Sequence, residues 1–80
     1  MNLQDEILLK RITINPEIMG GKPIIRGMRF PVADVLQLLA SGMTETEILE
    51  QHPYLEKDDI TAALLYGSFT VNNKRIIHAA

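Results

Sequence analysis

The groups best suited to polar chemistry in this chain are three cations in one short glycine-containing stretch, GKPIIRGMR: Lys22, Arg26 and Arg29. An arginine fork meets a carboxylate or a phosphate at two oxygens at once, and a lysine offers a point charge. These three residues are the candidate contact for an acidic partner or a nucleic-acid backbone. The stretch is not a phosphate loop of the GxxxxGK[ST] kind, because that spacing and the following hydroxyl are missing. Its glycines suit tight turns. For Arg29 an internal partner such as Asp34 is as good a reading as an external one.

Catalytic chemistry has little to build on. His52 and His78 are the two histidines, and there is no cysteine. A metal site needs converging ligands, and the pattern suggests none. His52, directly before Pro53, reads as a helix-end residue. Glu45, Glu47 and Glu50 read as a solvated helix face rather than an acid–base pair. No Ser/His/Asp set is evident. The chain therefore reads as a non-enzyme, with no catalytic residue, metal or cofactor.

Three helices must position the basic stretch. The first begins at Pro31, a residue suited to the opening turn. Val32, Val35, Leu36 and Leu39 share one helical face, and Ser41-Gly42 ends it. The second opens at Thr44, with Glu47 at capping-box spacing and Met43 and Ile48 at staple positions. It stops near Gln51 or His52, ahead of Pro53. The third follows Leu55, with Asp58 and Asp59 in its first turn and Leu55 and Ile60 as a second staple. It carries two apolar stripes: Ile60, Ala63, Leu64 and Gly67, and Ala62, Leu65, Tyr66 and Phe69.

Ahead of these helices, Ile7-Leu8-Leu9 and Ile12-Thr13-Ile14 read as extended segments and Asn15-Pro16 as a turn. Lys22–Ile25 and Met28–Phe30 read as short strands about an Arg26-Gly27 turn. The tail after Gly67 reads as helix extension or strand at Phe69-Thr70-Val71, with a turn at Asn72-Asn73 and a strand at Arg75-Ile76-Ile77-His78. The expected fold is thus mostly α: a three-helix bundle over residues 31–67, preceded by a short β-hairpin segment within 1–30 and followed by a tail, 68–80. All of it forms one domain.

Composition narrows the classes. The 80 residues are 46% hydrophobic with a net charge of −2, ordinary for one small globular domain. Charge is uneven: residues 1–33 carry five basic against three acidic groups, and residues 34–80 three against seven. No apolar run approaches a membrane span, and the first residues, MNLQDEILLKR, hold acids where a signal peptide is basic. The expectation is a cytoplasmic protein without membrane contact.

The ordered set Asn15-Pro16-Glu17, Gly21-Lys22-Pro23, Gly27-x-Arg29-x-Pro31-Val32, Ile48-Leu49, Pro53-x-Leu55, Ile60 and Ala62-Ala63-Leu64-x-Tyr66 resembles the domain-of-unknown-function family 433, from about Ile12 to Tyr66. The resemblance implies a short β-segment before a homeodomain-like (helix-turn-helix) three-helix domain, and an antitoxin-type protein whose partner is a PIN-like ribonuclease toxin. It brings no catalytic residues. Met28 stands where the family usually has threonine, and Phe30 where it has a smaller aliphatic, so a partner meeting this loop meets larger apolar groups.

Two binding readings follow. One is an antitoxin-like protein that covers or displaces active-site elements of such a ribonuclease. The other is a DNA-binding regulator with helix 44–51, a turn at 52–55 and a recognition helix from Lys57, using Lys22, Arg26 and Arg29 on phosphates. Against the second, Asp58 and Asp59 would face phosphates, and the outer face of the helix is apolar. The second apolar stripe also predicts a homodimer with Leu65, Tyr66 and Phe69 at or near the interface, unless the N-terminal segment covers them.

Overall fold

A computed structural model describes residues 2–73. The elements in chain order are α1 (Leu3–Leu9), β1 (Ile12–Thr13), a 3₁₀ turn (Met19–Gly21), β2 (Ile24–Ile25), α2 (Val32–Ala40), α3 (Glu45–Gln51) and α4 (Lys57–Asn73). The protein is mostly helical, with one small antiparallel strand pair near its N-terminus. The tail segment Arg75-Ile76-Ile77-His78 lies outside the described residues.

The three expected helices form, and their ends follow local chemistry. Pro31 is the N-cap of α2 rather than its first helical residue, in extended conformation (ψ 147°) and bridged to Ile24. At the other end Gly42 takes φ 100°. Its N–H donates to Leu39 O and the Met43 N–H donates to Leu38 O, the paired bonds of a Schellman motif. Thr44 then caps α3: its hydroxyl accepts from the Glu47 N–H at 3.1 Å, and the Glu47 carboxylate accepts from the Thr44 N–H at 2.8 Å. Ile48, at the staple position, is wholly buried.

Three segments differ from expectation. Met28–Phe30 is not a strand: β2 pairs with β1 instead, and the chain after the Arg26-Gly27 turn returns only as a single bridge from Pro31 to Ile24. Ile7-Leu8-Leu9 is helical, not extended. Asn2 caps α1 by accepting from the Asp5 N–H, and Asp5 and Glu6 sit in the first turn, where carboxylates favour the helix dipole. Leu, Gln and Glu are good helix formers, and they outweigh one β-branched residue. The third helix runs on through Phe69-Thr70-Val71, one of the two expected readings, but Asn72-Asn73 continues it rather than forming a turn.

The core joins Ile25, Phe30, Val32, Val35, Ile48, Leu55, Ile60 and Ala63, so β2, α2, α3 and α4 each contribute a fully buried side chain. α4 is the central element, packed against α1, α2, α3 and β1. Gly67 sets its approach to α2: a Cβ there would lie 3.2 Å from Leu36 Cδ1. α1 packs along α4. Among the described residues, no helix is long and apolar enough to cross a membrane.

The capping box is the part of this fold that side chains alone specify. Thr44→Ala should lower the unfolding free energy by about 1 kcal/mol. Urea denaturation should show this as a lower midpoint at constant slope; an unchanged midpoint would mean α3 is fixed by packing alone.

Candidate partner-binding surface

The strand pair brings two arginines together. Ile12 pairs with Ile25 and Thr13 with Ile24, and one step beyond, the Arg26 N–H donates to Arg11 O at 2.7 Å. Like charges placed directly across a ladder repel, so this end of the sheet requires an anion. Asp59 supplies it from the first turn of α4.

The Asp59 side chain has no solvent exposure, and both its oxygens are fully engaged. Oδ1 accepts from Arg11 Nη1 and Arg26 Nε, each at 3.0 Å. Oδ2 accepts from Arg26 Nη2 at 2.9 Å and from the Glu56 N–H at 2.8 Å. The last bond is the backward half of a capping box, three residues into the helix. Arg26 Nη2 also donates to Tyr54 O, and Arg11 Nη1 to Glu56 Oε1 at 2.7 Å. β1, β2, the α3–α4 connection and the start of α4 are thereby tied at one carboxylate.

Arg26 reaches this position from an unusual backbone. It and Gly27 occupy the centre of the Ile25–Met28 turn at φ 43° and 73°, the two positive angles of a type I′ hairpin turn. Glycine accepts that conformation freely. For arginine it costs about 1–2 kcal/mol, offset by the forked contact with Asp59.

The basic stretch is thus divided. Arg26 is engaged within the chain, with its guanidinium about one-third exposed. Lys22 and Arg29 are exposed, and among the described residues neither forms an ion pair; in particular Arg29 does not reach Asp34. Asp59, read from the sequence as a carboxylate facing outward, is instead the most enclosed charge among the described residues. Asp58 does remain exposed.

Beside Arg29, Phe30 is buried and holds an aromatic group in place. Its ring meets His52 edge-on at 5.0 Å and Tyr54 at 6.1 Å, and His52 Nδ1 lies 3.1 Å from Tyr54 Oη. His52 caps α3, as expected for a helix-end residue. Phe30, Asp34, Gln37, Leu38, Ser41 and His52 line an open hollow of mixed polarity between α2 and the end of α3. Among the described residues no group of His, Cys, Asp or Glu converges as a metal site would require. Leu65, Tyr66 and Phe69 are each half-buried within the single chain, and Tyr66 packs against the core.

Fold and surface together define a small helical module whose polar face is mounted on an internally neutralised core. The family described as "Protein of unknown function (DUF433)" matches residues 12–67, and the chain belongs to that family. A curated relative, "Uncharacterized protein y4eO" of Sinorhizobium fredii (strain NBRC 101917 / NGR234), is 40% identical over 56 residues. That match covers 70% of this chain and 25% of the relative, so the chain spans about a quarter of its length. The crystal structure of a DUF433 member protein from Anabaena variabilis ATCC 29413 is similar in fold, with a TM-score of 0.74 at 29% identity, covering 85% of this chain and 67% of that one. Arg26 and Asp59 fall inside the family match, while α1 and Arg11 precede it.

Burial alone would push the Asp59 carboxyl up, but hydrogen bonds from Arg26, the Glu56 N–H and Arg11, with the Arg26 charge, hold it below the usual carboxylate range. A lowered folded pKa gives stability that is complete above the unfolded value of about 3.9 and is lost as pH falls through the folded value. Asp59→Asn should therefore cost about 3 kcal/mol at neutral pH, the low end for a broken buried pair because both arginines retain access to water. It should also flatten the stability–pH curve below about pH 4. Lys22→Ala and Arg29→Ala should each stay within about 0.5 kcal/mol. Denaturant titrations across pH would check all three, and an Asp59→Asn variant as stable as the parent would refute the assignment.

Proposed function

We propose that this protein is an antitoxin-like binding protein that recognises and inhibits a PIN-like ribonuclease. The observation that carries the protein-binding part is exposed Tyr54 standing edge-on against the buried Phe30, which follows exposed Arg29 in sequence and itself lines the hollow holding Asp34, Gln37 and His52. Arginine and tyrosine are enriched at the energetic centres of interfaces. Tyr54 is already held by Phe30 and His52, so little of its side-chain ordering is left to oppose binding. The ribonuclease class comes from the family resemblance. Inhibition would work by covering or displacing the toxin's active-site elements, with no reaction on this chain. The reading places the protein in the cytoplasm with the enzyme it restrains.

A second reading, DNA binding by α3, the 52–56 connection and α4, gains from one observation. Burial of Asp59 removes one of the two carboxylates that would repel phosphates at the start of α4. Exposed Lys22 and Arg29 would then contact the backbone. Such binding should weaken steeply with salt. A mobility shift on the upstream region of its own gene, at low salt and with and without the protein partner, decides it; no shift in either case removes this reading.

Co-expression with the product of the adjacent gene, followed by affinity purification, tests the first reading. A stable complex and loss of the partner's ribonuclease activity are expected. Arg29→Ala and Tyr54→Ala should each weaken the complex at least tenfold, about 1.4 kcal/mol, and Arg29→Ala, at an exposed side chain without an ion pair among the described residues, should do so without changing the melting temperature. Absence of any complex would overturn the proposal.

A further inference from the structure

α4 begins with Lys57, Asp58 and Asp59, and then carries no Asp, Glu, Lys, Arg or His from Ile60 to Asn73. A stretch of that length with ordinary composition would hold about three charges. Part of it is core, but Thr61, Leu64, Ser68 and Val71 are all exposed, and they recur at i, i+3, i+7 and i+10 as one helical stripe. Leu64 is 47% and Val71 63% exposed. Next to this stripe lies an open apolar groove between α2 and α4, lined by Pro23, Pro31, Val32, Leu36, Tyr66 and Val71, with Lys22 at its edge. None of this belongs to the face that carries Arg29 and Tyr54.

We infer that this face of α4 is the contact between two copies of this chain, arranged with their α4 helices antiparallel about a two-fold axis. Charge selects the occupant. A surface that meets its own copy near a two-fold axis brings each charge close to its twin, so a self-contact favours a stretch with none. The spacing selects the register. A two-fold contact pairs residue i with j and j with i. Placing Leu64 opposite the second copy's Val71 satisfies this twice and puts the axis between Gly67 and Ser68. Those are the smallest side chains of the stripe and its margin, so the helices can approach closely at their crossing. Val71 also borders the groove, so the opposing leucine has an apolar recess to enter. The inference does not depend on the ribonuclease reading, because it uses another face and needs no partner protein.

The test is sedimentation or light scattering of the purified full chain from about 1 to 500 µM, a range that captures micromolar to weak submillimolar association. The expected result is a concentration-dependent rise from the 9.0 kDa chain mass toward twice that value. L64E and V71K should each leave a monomer at every concentration. Both sites are exposed, so circular dichroism melting of the dilute protein should be unchanged. The double variant L64E/V71K should associate again, because each carboxylate then faces the other copy's ammonium. Within one chain the two positions are two turns apart, about 10.5 Å, too far for an internal pair to give that rescue. A parent protein that stays monomeric throughout would overturn the inference. So would a dimer that survives both single changes, or a double variant that does not recover.

Discussion

A carboxylate taken out of water must have its oxygens met by donors, or its burial opposes folding. Asp59 satisfies this condition by drawing two arginines from the strand pair and one amide from the turn before its own helix. Much of the fold follows from it. The ladder places Arg11 and Arg26 side by side, an arrangement that repels unless an anion lies between them. The Ile25–Met28 turn holds Arg26 in a left-handed conformation. α4 starts where its third residue can reach both. Moving any one of these parts leaves either a buried anion or two adjacent cations uncompensated.

The same contact decides what the surface can offer. Five basic groups lie in the first third of the chain, which suggested a basic patch. Two of the five, Arg11 and Arg26, are spent internally, and Asp59 is withdrawn from the acidic start of α4. What remains outside is a mixed surface: the exposed cations Lys10, Lys22 and Arg29, the acids Asp34 and Asp58, and an aromatic group on a buried phenylalanine. A mixed surface of this kind suits recognition of a folded protein better than a backbone of phosphates, where affinity depends on the number of cations brought to bear.

The helices distribute the remaining apolar surface unequally. α1 packs along α4, and Leu65 and Phe69 are half-buried without a second chain. The side toward α2 is left open, with a groove and two exposed aliphatics on a charge-free stretch. The apolar surplus of α4 was visible in its residue pattern. Which stripe is covered depends on where α1 lies, and α1 was the segment whose secondary structure was misread.

The sequence by itself determined the punctuation of the helices. Ser41-Gly42, Thr44 with Glu47, Met43 with Ile48, and Pro53 act through bonds and contacts within five residues, so their meaning is local and they formed as read. The Arg26-Gly27 turn was legible for the same reason. Ile7-Leu8-Leu9 was not, because three apolar residues fit a strand or a helix equally well. The helix is decided by Asn2, Asp5 and Glu6 upstream and by packing on α4. Tertiary structure alone decided the role of Asp59. Its partners lie 33 and 48 residues away, and nothing near it in sequence marks it off from Asp58 beside it. One is exposed and the other enclosed because a helix turns by about 100° per residue, which aims only the second carboxylate at the arginines.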